Sequence, residues 1–139
     1  MKKYCFITFI IIVTTISFFS CQGYDEGPEF SLLTPEMRIK GSWNQTELYI
    51  NDELQDGTLK VEFTLNSDGT GTRTTSLGST STTDEIDWQF NDEKTILMTK
   101  KTDAEEFDEA TILRLTNKEM WIVDDAGIWG MWEFRYEKI

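Results

Sequence analysis

Between residues 41 and 139 apolar side chains recur at every second position, in short runs parted by clusters of Gly, Asn and Asp. That period belongs to strands and rules out a helical bundle. Eight runs can be marked, at 42–50, 59–65, 70–77, 86–90, 95–99, 110–115, 120–123 and 128–137. The second is the clearest, with Leu59, Val61, Phe63 and Leu65 alternating with Lys60, Glu62 and Thr64. Most connections are tight turns, such as Asn51-Asp52 and Asn66-Ser67-Asp68-Gly69, which favours antiparallel neighbours. A meander of this length has two exposed edges to hide, and closing on itself hides both. The expected fold is therefore all-β, an eight-stranded antiparallel up-and-down barrel. A two-sheet sandwich is the alternative, although its Greek-key crossings need longer loops than most of these.

Upstream of the runs, Thr34-Pro35-Glu36 reads as a helix start and Gly41 as its stop, which leaves room for one or two turns before the first strand. Residues 22–33 mix Gly, Pro and acids without periodicity, as a tether would. Residues 1–20 carry Lys2 and Lys3, then an uncharged apolar stretch ending at Ser20, the pattern of a secretory signal. Ser20-Cys21 resembles the junction of a bacterial lipobox, in which the cysteine is acylated and becomes the first mature residue. Cys5 leaves with the signal, so Cys21 has no partner for a disulfide in the mature chain; a free thiol is the plainer alternative. The expected organisation is a lipoprotein signal peptide at 1–20, a flexible acidic tether at 21–36 and a barrel domain at 37–139. Gln22 in place of an inner-membrane retention Asp, with Asp25 and Glu26 behind it, favours the outer membrane, through a palmitate-type anchor on Cys21.

The chain contains no His and only two Cys. Ser/His and Cys/His catalysis and His-ligated metals are thereby excluded. The net charge is −12, and removal of Lys2 and Lys3 with the signal takes it to −14. A surface this acidic repels phosphate, so no nucleic acid partner is expected. Asn66 to Gly71 spaces its oxygens like a calcium loop but lacks the closing Glu, and reads better as a hairpin turn. Asp103, Glu105, Glu106, Asp108 and Glu109 could gather a weakly held cation or simply be solvated. Nothing in the spacing places two carboxylates across a cleft as a glycosidase needs. A non-enzymatic monomer with no cofactor and no built metal site is expected.

Gly41-Ser42-Trp43 opens the first strand, and Arg135 stands in the last. The pair resembles the Gly-x-Trp and the terminal-strand arginine of lipocalins, a family in which the tryptophan closes one barrel end beneath the arginine. The order Gly41 to Trp43, Asn66 to Gly71, Trp88 to Phe90 and Tyr136 to Lys138 is similar to that of the lipocalin-like domains of small Gram-negative lipoproteins. The resemblance implies a barrel with Gly41, Trp43 and Arg135 in structural roles, and it carries no ligand class across.

Aromatic residues are the one feature with a binding reading. Trp88, Phe90, Trp121 and Trp132 are candidates to line a lumen facing a wall of small residues, Thr72, Thr74 and Ser76. They could equally fill the barrel and leave no space. The function that follows is an envelope-anchored, lipocalin-like carrier of a small apolar or amphipathic molecule, neutral or cationic. The alternative is a surface adaptor that binds protein or glycan through the barrel loops. Cys21→Ser should abolish incorporation of labelled fatty acid and move the chain from the detergent to the aqueous phase, because the acyl chain supplies the membrane affinity. Label retained by the variant would refute the anchor.

Overall fold

A computed structural model describes residues 24, 25 and 32–139. The signal expected at 1–20, Cys21 and most of the expected tether lie outside the described residues. A five-residue helix, α1 (Pro35–Ile39), leads in, with the Thr34 hydroxyl capping it by accepting from the Met37 amide at 3.4 Å. Strands follow in the order β1 (Gly41–Ile50), β2 (Glu53–Leu54), β3 (Leu59–Leu65), β4 (Thr70–Leu77), β5 (Thr80–Phe90), β6 (Ile96–Lys101), β7 (Asp108–Leu115), β8 (Glu119–Asp125) and β9 (Met131–Lys138). From β3 to β9 each pairs antiparallel with the next. β1 pairs with β3 on one side and with β9 on the other, from Trp43 opposite Lys138 to Ile50 opposite Trp132, so eight strands close into a barrel. The two-residue β2 folds back on the end of β1 through Asn51 and Asp52, both at positive φ, the backbone that a two-residue hairpin requires.

Two strand starts differ from the sequence pattern by more than two residues. β5 starts at Thr80 because Gly78 and Ser79 make a two-residue turn, and Thr80 to Thr83 continue the ladder opposite Leu77 to Thr74. β9 starts only at Met131, since residues 127–129 form a 3-10 turn that ends at Gly130 with φ +87°.

One end of the barrel is sealed. Trp43 is fully buried, donates from Nε1 to the Ile39 carbonyl at 2.6 Å, and shares the closed end with Ile39, Leu65, Leu115 and Met120. The Lys138 ammonium lies 4.6 Å over the Trp43 ring and donates to the Arg38 and Lys40 carbonyls, both at 2.6 Å, which ties α1 to the last strand. Gly41, at φ +120°, has a backbone that side-chained residues avoid, and it turns the chain from α1 into β1. Inside the wall, a Cβ on Gly71 would collide with the Thr64 carbonyl, so β3 and β4 approach closely only because that residue is Gly.

The resemblance implies an arginine over Trp43, but Arg135, whose parity on β9 is opposite to that of Trp132, Phe134 and Tyr136, does not take that place. Arg135 faces outward, 4.2 Å from the Trp121 ring and 4.6 Å from the Tyr49 ring, and pairs with Glu47 at 3.1 Å and Glu133 at 2.7 Å. Its role is a clamp across β8, β9 and β1. Inward parity on β9 falls to Trp132, Phe134, Tyr136 and Lys138, and the last of these reaches the tryptophan.

Between β1 and β3 the backbone ladder ends at Asn44 opposite Glu62. A bulge between Gln45 and Glu47 then bends β1 toward β9. The Gln45 amide spans the gap, donating to the Leu59 carbonyl at 3.1 Å and accepting from the Val61 amide at 2.8 Å. Trp43→Ala should lower stability by about 3–5 kcal/mol, as truncation of a buried tryptophan does, measured as a fall in the urea midpoint with unchanged slope.

Candidate functional site

The turns between β1 and β2, β4 and β5, β6 and β7, and β8 and β9 gather at the end opposite α1. Below them the lumen holds a half-open cavity of about 150 Å³. Its apolar wall comes from alternate residues of three strands: Val61 and Phe63 on β3, Ile122 on β8, and Phe134 on β9. Polar groups join them at inward positions: Arg73 and Thr75 on β4, Thr99 on β6, Asp108 on β7, Asp124 on β8 and Tyr136 on β9. This volume admits a group about the size of a benzene ring, below the ~300 Å³ at which pockets for whole drug-sized molecules begin.

Tyr136 and Asp124 are among the polar side chains of the cavity that have no partner among the described residues. Tyr136 is 2% exposed and packs against Phe63 and Phe134, with ring centroids 5.6 Å and 6.2 Å away. Its hydroxyl makes no hydrogen bond among the described residues, and burial pushes the phenol far above its ordinary pKa. Asp124 has neither a hydrogen bond nor an ion pair among the described residues. Its carboxyl is held above the usual carboxylate range, first by desolvation and then by the charges of Asp108 and Asp125. The cation of the cavity is already engaged, since the Arg73 guanidinium lies 3.8 Å from Asp108.

The tryptophans expected to line the lumen do not line this cavity. Trp88 and Phe90 pack edge to face, with centroids 5.8 Å apart, and belong to the filled part of the barrel; the Trp88 indole donates to the Asn66 and Thr70 carbonyls at the α1 end. Trp121 lies on the outer face, between Arg114 at 5.2 Å and Arg135. Trp132 has inward parity but stands at the mouth, donating to the Trp129 carbonyl. Thr72, Thr74 and Ser76 are likewise on the outside, where Thr74 bonds Thr83 and Ser76 bonds Ser81 across the hairpin. The small inward residues of β4 are Gly71 and Thr75, and Arg73 between them was missed in the sequence. Its signal was parity with Thr75, in a strand whose one large apolar residue, the exposed Leu77 at its end, does little to set the phase.

The rim carries exposed apolar side chains. Ile128 is 95% and Trp129 71% exposed on the 3-10 turn, and Leu54 and Met131 are exposed nearby, where the Asn51 and Met131 backbones join β1 to β9. Of the acidic loop residues, Asp108 and Glu109 lie at the cavity. Among the described residues no group of three or more His, Cys, Asp or Glu is placed to hold a metal ion.

A carboxyl whose pKa is raised by folding favours the native state only while it is protonated. That contribution is present below its ordinary value and is lost as the pH rises through the folded value. Asp124→Asn should therefore raise the urea midpoint at pH 7, with the gain shrinking on acidification and vanishing below the ordinary Asp range. An unchanged midpoint at pH 7 would show that Arg73 already neutralises Asp124. No protein-family model matches the chain, and no curated protein matches it either.

Proposed function

We propose that this chain is a non-enzymatic, lipocalin-like lipoprotein, acylated at Cys21 and held at the outer membrane, whose barrel takes the apolar end of a small amphipathic molecule. The observation that carries the reading is the half-open lumen cavity, aromatic on one wall and ending on the unpartnered Tyr136 hydroxyl. A closed antiparallel barrel with one end plugged by Trp43 is compatible with such a role. The signal-like residues 1–20, the Ser20-Cys21 junction and the Gly41-Ser42-Trp43 resemblance support the remainder.

Affinity should be modest. A benzene-sized group buries on the order of 100–200 Å² of apolar surface, about 2.5–5 kcal/mol, which corresponds to dissociation constants of roughly 0.2–15 mM before ordering costs weaken them further. The molecule's remainder would lie across the rim.

The adaptor reading draws on the same rim. Ile128 and Trp129 are 95% and 71% exposed on their turn, an apolar surface that a protein or glycan partner would cover. The two readings separate by mutation. Thr75→Trp should fill the cavity and abolish the change in intrinsic fluorescence caused by small aromatic probes without unfolding the barrel, and Trp129→Ala should leave that change in place. If Thr75→Trp binds probes like the wild type, the cavity is not the site. If Trp129→Ala alone abolishes the response, the rim adaptor is the better account.

A further inference from the structure

We propose that the cavity selects an organic ammonium ion: a small primary aryl- or alkylammonium whose charge sits against Asp124 while its apolar body enters beside Phe63, Ile122 and Phe134. This rests on the reading of the lumen as a ligand site and names the chemistry it would take.

The charges at the mouth decide the sign. Arg73 and Asp108 offset one another at 3.8 Å, which leaves Asp124 uncompensated at the edge of an apolar space, with Glu109 adding further negative charge to the lining. An anion entering the same space would meet a guanidinium already engaged and two more carboxylates. A neutral molecule would fill the volume and leave the Asp124 charge partly desolvated without a partner, an arrangement that proteins seldom keep unless something else supplies the counter-charge. A cation supplies it. At contact distance the attraction of the two charges is of the same order as the apolar contribution, so the charge of the ligand decides between molecules of one shape.

Tyr136 is an independent pointer to an occupant. The residue is 2% exposed, and its hydroxyl lines the cavity with no partner among the described residues, so an occupant of the space meets a polar group there. The rings of Phe63, Phe134 and Tyr136 present faces and edges to the same volume, and aromatic faces tolerate a cation where they would oppose an anion. The volume of about 150 Å³ sets the body at one ring or a short alkyl chain.

Three probes of one shape and different charge test the assignment: benzylammonium, benzyl alcohol and benzoate, titrated calorimetrically into the full chain in an uncharged detergent. Benzylammonium should bind at least about tenfold more tightly than benzyl alcohol, and benzoate more weakly than both. In Asp124→Asn, a variant expected to fold with greater stability, the preference of ammonium over alcohol should disappear while alcohol binding persists. Equal binding of ammonium and alcohol by the wild type, or a preference that survives in Asp124→Asn, overturns the ammonium assignment and leaves the lumen as a neutral-ligand site. If none of the three binds, the lumen reading itself falls, and the assignment with it.

Discussion

The seam between β1 and β9 is the constraint on which the rest of the molecule depends. Until the first and last strands meet, the meander has two open edges and no inside, and neither the plug nor the cavity exists. The seam is secured on both faces. Inside, Lys138 of β9 covers Trp43 of β1; outside, Arg135 of β9 lies between Tyr49 of β1 and Trp121 of β8 while pairing with Glu47. One strand thus places a cation on each side of the wall, by parity alone. Because the partners come from opposite ends of the chain, closure carries the full loop entropy of the domain, which sets this topology among the slower folders.

Closure also divides the interior into two unequal parts. Trp43, Leu65, Leu115 and Met120 pack the α1 end to exclusion, whereas toward the other end polar residues replace apolar ones at inward positions on β4, β6, β7 and β8. The cavity is the region where the two regimes overlap. Its wall is still aromatic, but Arg73, Asp108 and Asp124 have displaced the side chains that would have filled it.

The barrel was legible in the sequence because alternation and short turns are local properties, and so was the role of Trp43, whose motif places it at the first inward position of β1. The cavity was much less so. In the run 70–77 there is almost no apolar residue to reveal which parity faces in, and register with the neighbouring strands places Thr74 outside and Thr75 inside. In Met120-Trp121-Ile122-Val123 every residue is apolar, so alternation is silent in the opposite way; Trp121 lies outside because two arginines cover its ring there. The Arg135 assignment followed a family pattern, whereas side-chain parity on β9 gives the place over Trp43 to Lys138.

The Gln45 bridge gives this wall one panel of a different kind. Everywhere else adjacent barrel strands are held by backbone ladders, whose loss requires the strands to move apart, but past Asn44 the join to β3 is one side-chain amide. Rotation about its χ angles frees the Val61 amide without displacing either strand. Hydrogen exchange at Val61 would accordingly proceed by a side-chain excursion, on a timescale separate from the breathing of the sheet.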